Sequence, residues 1–456
     1  QIKCFRRGKS KNRLTSPRLA SQTLAEKSEK SWVRFKNHLL YNISHKLATS
    51  IAMENKRIEA LYSFIGENLY FNIPDIVVQE KKYNSTLLLS LITALTGGKE
   101  LIVGEPGLGK TTGAEYVSCL VYQLPLDTVW DSEVEGHPEQ TEEKIKGRPD
   151  LGRLNAGQEE VIWSNFTQLQ PKIVDEINRL PPSKQSLILK GCDTGIWKYL
   201  DELLLNEEYC LFATANYSDR GTTDLLPPLL DRFDVEVESK YPGAVYSSEI
   251  DGRKREVEKI IRDIRLTREI NRILKSKVEY EEKIKSIRDI STKYASRLKR
   301  ELGIETPGYE QREEIRNNIR GIPLSEDATA FMLTLIAELS FCHIYGQKRT
   351  NQICEEGCHF LGYLCHSIEN CASNRIPLSI KEYSRALAWF LGEKEVSIEH
   401  LREMAPFTLA HRIRWSETFL SRYKREIRND PATIFLAKKA VGEVFNRYAE
   451  QKNNIK

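Results

Sequence analysis

Apolar positions along this chain of 456 residues follow two rhythms, a helical one and one of short unbroken runs. Across 51–98 they keep helical spacing. Ile58, Leu61, Phe64 and Ile65 come first, then Leu87, Leu88, Leu89, Leu91, Ile92 and Leu95, with Gly97-Gly98 ending the second helix. Across 99–240 short runs (Leu101-Ile-Val103, Ile173-Val174, Leu211-Phe-Ala213, Val235-Glu-Val237) alternate with helical stretches, which predicts a parallel sheet covered on both faces by helices. From Arg253 to Arg300 there is neither Pro nor Gly, and Val257, Ile260, Ile261, Ile264, Ile284, Ile287 and Ile290 stand three and four apart among Lys, Arg and Glu. Residues 241–320 therefore read as a long charged helix or helical hairpin, packed like a coiled coil and closed by Gly303 and Pro307-Gly308. A globular helical pattern returns over 321–415, and 416–456 forms one or two terminal helices.

Composition narrows the class. Hydrophobic residues are 40% and charged residues 29%, which fits a globular chain with a charge-rich surface. No run of 18 apolar residues occurs and no apolar segment follows the basic N-terminus, so neither a spanning helix nor a secretory leader is expected, and the expected compartment is the cytoplasm. Nine cysteines in so long a chain do not make a disulfide scaffold. Charge is uneven: residues 1–50 hold twelve Lys and Arg against Glu26 and Glu29, a local +10 that leaves −6 for the rest of a chain totalling +4. This arm reads as a solvated, flexible tail or as a polyanion contact. The charges of 241–320, with both signs interspersed, read as a solvated face.

The chemistry begins at Gly104-Glu-Pro-Gly-Leu-Gly-Lys-Thr-Thr112, which has the G-x-x-x-x-G-K-S/T spacing after an apolar run and before a helical pattern. Gly104, Gly107 and Gly109 let the backbone curl so that its N–H groups face phosphate oxygens, with Glu105, Pro106 and Leu108 completing the loop and Thr112 following it. Lys110 is placed to neutralise the β- and γ-phosphates of ATP, and Thr111 to ligate Mg²⁺. Lys172-Ile-Val-Asp-Glu176 is the matching strand: Asp175 is expected to hold Mg²⁺ and Glu176 to orient and deprotonate the attacking water. Asn216 ends a further apolar strand and could hold that water, or be an ordinary turn residue. Arg232, just before the last strand, could reach a neighbour's γ-phosphate, or pair with Asp231 or Asp234.

Together these four elements resemble the AAA+ ATPases, and within them the MoxR family. Asp175-Glu-Ile-Asn-Arg-Leu-Pro-Pro182 is similar to that family's Walker B segment, Ala213-Thr-Ala-Asn216 to its sensor 1, Leu229-Leu-Asp-Arg-Phe233 to its arginine-finger segment, and Val396-Ser-Ile-Glu-His400 through His411-Arg-Ile413 to the end of its lid. Arg232-Phe-Asp234 and the stretch from Gly136-His-Pro to Gly157 resemble MCM-type helicases. The resemblance implies a P-loop α/β core with a five-stranded parallel sheet, an α-helical lid, and a ring, usually a hexamer. It also implies chaperone-like remodelling of a protein client, often one with a von Willebrand factor A domain. A DNA-translocating motor and a nucleotide-dependent scaffold are the alternatives, so nucleic acid stays open as a partner; no membrane partner is expected.

Two features depart from the family pattern. The helical insertion is long and falls between the arginine-finger strand and the lid. The family's sensor 2 arginine lies near the start of a lid helix in a Ser-Pro-Arg context, and Ser379-Ile-Lys-Glu382 reads as a capping box that puts Lys381 there, among the ATP-binding residues, with Arg375 and Arg385 as competitors. In the lid, Cys354, Cys358, Cys365 and Cys371 have spacings that could close a structural Zn²⁺ site; buried packing cysteines or a redox disulfide are the other readings.

Overall fold

Five parallel strands make the central sheet: β1 (Lys99–Val103), β2 (Val134–Glu135), β3 (Pro171–Asp175), β4 (Cys210–Ala215) and β5 (Val235–Glu238), in the spatial order β5-β1-β4-β3-β2. The computed structural model describes residues 53–70, 73–155, 157, 160–206, 209–217, 225–242, 244–340, 342, 362–427 and 432–455. The basic arm of 1–50 lies outside them, as do Cys354 and Cys358. Four of the strands coincide with the apolar runs. β2 has only two residues, too few for a pattern to register.

The strand registers set the layers. Ala213 pairs with both Leu101 and Val174, and these three, with Val103 and Leu211, meet Ile188, Leu189 and Cys192 of the helix Pro182–Thr194 in one core. On the other face the helices Ser85–Thr96 and Lys110–Tyr122 pack on each other and on the strands, and Gly97 ends the first of them in the left-handed conformation. Lys172 is wholly buried on β3, where its ammonium donates to the carbonyls of Phe166 at 2.7 Å and Leu169 at 2.8 Å, closing the short helix Asn165–Gln168. Burial pushes that amine down to about 8.

Three antiparallel hairpins stand outside the sheet and went unread in the sequence: Ile76–Val78 with Lys81–Tyr83, Gly147–Pro149 with Val161–Trp163, and Ile196–Tyr199 with Glu202–Leu205.

The insertion is not one long rod. It forms the helices Ala244–Ile261, Ile264–Leu274, Tyr280–Leu302 and Tyr309–Gly321. The first break comes at Asp263, whose carboxylate caps the next helix by accepting from the N–H groups of Arg265 and Leu266 at 3.0 Å. The insertion's helices pack on one another and on the nucleotide domain. Tyr294 Oη lies 3.4 Å from Cys119 Sγ, Thr267 bonds Thr128 at 2.9 Å, and Gln123 donates to Thr306 Oγ1 at 3.0 Å.

This route decides where the lid goes. The chain leaves β5 next to Val103, at the edge where the phosphate loop begins, and Arg316 of the fourth helix ends up bonding Leu95 O near the opposite edge. The lid helices Glu326–Ser340, Arg375–Phe390 and Ile398–Leu409 follow, with Thr433–Ile455 packed across the first and third. The lid docks on the segment just before β5: Ser379 donates to Asp234 at 2.9 Å, His411 Nε2 to Phe233 O at 2.9 Å, and the buried Arg412 to Asp231 O at 3.2 Å. Asp234 is itself tied to Lys99 at the start of β1.

The capping box expected at Ser379 is therefore corrected. The helix begins at Arg375, with Asn374 at its N-cap, and Ser379 lies inside it, facing Asp234.

Candidate nucleotide site

The helix Lys110–Tyr122 starts from Gly109 in the left-handed conformation (φ 74°) with no side-chain cap on its first N–H groups. Gly107 is also left-handed (φ 80°), in open space. These two positions turn the loop back on itself and leave uncapped backbone donors at a positive helix end, which is an anion cradle. Glu105, Pro106 and Gly107 are exposed at its tip; Leu108, Thr111 and Thr112 are half-buried.

Lys110 is buried, and its ammonium spans the loop: it donates to Gly104 O at 2.9 Å, Glu105 O at 2.8 Å and Asn216 Oδ1 at 2.7 Å. Three acceptors match its three N–H groups. Burial lowers its pKa, and the charges of Asp175 and Glu176 act against that shift.

Asp175 ends β3 with Oδ1 accepting from Thr111 Oγ1 at 2.5 Å and Thr214 Oγ1 at 2.6 Å. A hydroxyl and a carboxylate this close, beside the anion cradle, are hard oxygen donors of the kind Mg²⁺ takes, so the residues fit that ion. Glu176 is left-handed (φ 50°, ψ 51°), an uncommon state for a residue with a side chain. Its N–H donates to Thr214 Oγ1 at 2.8 Å. Its carboxylate is clasped on both sides, by Asn216 Nδ2 on Oε1 at 2.7 Å and by Arg179 Nη1 on Oε2 at 3.1 Å. Asn216 thus bridges Lys110 and Glu176.

Gly136, just past β2, completes the turn. Its N–H donates to Asp175 O at 2.7 Å, and a Cβ there would lie 2.0 Å from Glu176 O. Gly136, Thr214 and Arg179 were not singled out in the sequence. The signals were present: a glycine after a short strand opposite Walker B, a hydroxyl two residues before Asn216, and an arginine three after Glu176.

Lys110, Thr111, Asp175, Glu176 and Asn216 are brought together; Arg232 and Lys381 are not among them. Arg232 sits at the opposite edge of the sheet, its Nε 3.4 Å from Asp193, which also takes Lys99 at 3.3 Å and Arg375 at 3.6 Å. Its Nη1 is buried without a hydrogen-bond partner. Lys381 lies on the helix that docks Ser379 against Asp234, at that same far edge, away from the chain's own phosphate loop. Arg375, after Ser373-Asn374, is the first residue of that helix. Arg385 is further along that helix.

Zinc finds no support: Cys365 is buried in the short helix Leu364–Ser367 and Cys371 is half-buried, and among the described residues no three His, Cys, Asp or Glu groups gather as a metal site. Among the described residues no helix is long and apolar enough to cross a membrane.

Comparison with known proteins agrees with this geometry. Residues 100–233 match the AAA domain (dynein-related subfamily), and residues 366–432 match the AAA lid domain. No curated protein matches the chain. Among solved structures it is similar in fold to a candidate ATPase from Cytophaga hutchinsonii, with TM-score 0.55 and 18% identity over 87% of this chain and 97% of that one. The phosphate loop and the carboxylate pair on the adjoining strand lie within the matched AAA domain, and the helices that follow the insertion include the matched lid, so the chain carries an AAA-type ATPase domain with its lid.

Proposed function

We propose that the chain works as a MoxR-type ring ATPase, coupling Mg·ATP hydrolysis to chaperone-like remodelling of a protein client. The observation that carries this reading is the separation of Arg232 from the phosphate loop. β1 runs four steps from Lys99 to Val103, about 13 Å at the usual rise, and Arg232 lies at its start while the loop follows its end. That is further than an arginine side chain extends, so Arg232 serves a nucleotide only across a subunit boundary. Arg375 shares Asp193 with it and faces the same neighbour.

In this reading Lys110 exchanges its loop carbonyls for β- and γ-phosphate oxygens, which frees Asn216 Oδ1. Asn216 and Arg179 hold the Glu176 carboxylate, which takes the proton of the attacking water. Thr111 and Asp175 hold Mg²⁺, whose charge offsets that of the phosphoryl oxygens. Arg232 of one chain stabilises charge on the phosphoryl group bound to the next.

Complementation tests this. Arg232→Ala protein binds ATP and turns over poorly; mixed with Lys110→Ala protein it regains part of the activity, because some interfaces combine an intact loop with an intact arginine. Full turnover by Arg232→Ala alone, as a monomer, refutes the reading. The MCM-like alternative predicts turnover stimulated by DNA.

A further inference from the structure

The insertion separates its charges in a way the linear pattern conceals. Residues 253–277 hold ten Lys and Arg against four acids, while 278–321 hold ten against nine. Much of the excess is displayed on the helix Ile264–Leu274. Thr267, Ile270 and Leu274 are its buried side, turned against the nucleotide domain and the neighbouring helix Tyr280–Leu302. Arg265, Arg268, Arg272 and Lys275 recur at intervals of three and four on the opposite side, all exposed, and none has an acidic partner among the described residues. Glu269 is the single exposed acid on that helix. At a rise of 1.5 Å per residue the row is about 15 Å long.

We propose that this row is a binding site for the phosphate backbone of a single-stranded nucleic acid. Three of the four cations are arginines, whose forked donors match phosphate oxygens. A protein interface needs an apolar centre, whereas the exposed apolar residue of this helix is Ile264 at its first position, at the end of the row rather than its middle. A membrane would need the apolar side of the helix, which is already packed. The row continues past Arg265 to Arg262, whose guanidinium lies 5.1 Å from the ring centroid of Trp130, a residue 38% exposed. An aromatic plate at the end of a cationic track is how single strands are held without sequence preference. Arg262 is held in place by Asp127 at 2.8 Å, whose carboxylate is mostly buried, while the pair of Lys277 with Glu160 at 3.6 Å is a surface pair. A surface pair of that kind contributes little and exchanges readily for phosphate.

Fluorescence anisotropy on the full chain with a labelled 20-mer of deoxythymidylate tests the site. The affinity should fall with salt with a logarithmic slope of about −3, from four contacts at about −0.7 each. Arg268→Glu with Arg272→Glu should weaken binding more than tenfold and flatten the slope by about 1.4, while melting temperature and basal ATP turnover stay unchanged. A blunt 20-base-pair duplex should bind more weakly than the single strand. No binding in 50 mM salt, an unchanged slope in the double variant, equal or tighter binding of the duplex, or equal competition by polyglutamate would each overturn the assignment.

Discussion

Gly136→Ala puts one methyl group against the turn that carries Glu176, the base proposed above for the attacking water. The added Cβ would stand 2.0 Å from Glu176 O, 2.7 Å from its carbonyl carbon and 2.8 Å from Asp175 O, whereas ordinary contact begins near 3.4 Å. All three neighbours are backbone atoms, so no side chain can swing aside, and β2 and the Walker B turn must part by roughly 1 Å, a displacement that typically costs on the order of 10²-fold in rate. Glu176 O also accepts from Arg179 N at 2.8 Å, so the displacement reaches both groups that orient the carboxylate. Overpacking of this size costs about 1–3 kcal/mol of stability. The phosphate loop follows a different strand, so nucleotide affinity should change by no more than about threefold, or about 0.7 kcal/mol. Steady-state turnover, titration with a fluorescent ATP analogue and thermal melting measure the three quantities separately. Turnover within threefold of the parent protein, with an unchanged melting temperature, would refute the steric argument.

Arg179→Ala leaves Glu176 with Asn216 as its carboxylate partner; kcat should fall about two- to fivefold with the Kd for ATP unchanged, since a half-exposed pair contributes up to about 1 kcal/mol. His411 is buried with Nδ1 lacking a partner, and burial beside Arg412 pushes its pKa down to about 3 from 6.5. The unfolded chain therefore binds the extra proton between pH 6.5 and 3, and the lid dock loses stability as pH falls through that window, by about 2 kcal/mol at pH 5. His411→Gln should flatten the melting profile there; an unchanged acid slope would contradict it. Gly252→Ala, within the helix Ala244–Ile261 and with nothing within 4 Å of the new Cβ, should raise stability by about 0.5–1 kcal/mol in chemical denaturation and leave turnover unchanged.

The fold class was legible because four of the five strands carry uninterrupted apolar runs and the phosphate loop has a fixed spacing. β2 and the hairpins escaped because two to four residues carry too little periodicity. The insertion reads as one long helix or a hairpin because no Pro or Gly interrupts 253–300, yet Asp263 starts a new helix there by accepting from its first backbone N–H groups. Ser379 misled for the opposite reason. Its S-x-x-E spacing is that of a cap, but its hydroxyl is bonded to Asp234, 145 positions away in sequence. Lys381 was expected at the nucleotide from the same capping-box spacing, which set it where the family's arginine would be. Only the three-dimensional path of 244–321 reveals which edge of the sheet the lid reaches.

That path also constrains how copies can associate. Phosphate loop and Arg232 occupy opposite edges of one sheet, so in the proposed ring each contact would join two unlike faces. A head-to-tail contact of this kind could not be satisfied by a two-fold dimer; it would leave one face of each kind open and propagate, into a ring where the rotation closes. A chain crippled on one face still docks through the other. Small amounts of such a chain would then act as terminators, silencing more sites than their own number, and the steepness of that poisoning would count the subunits in the closed assembly.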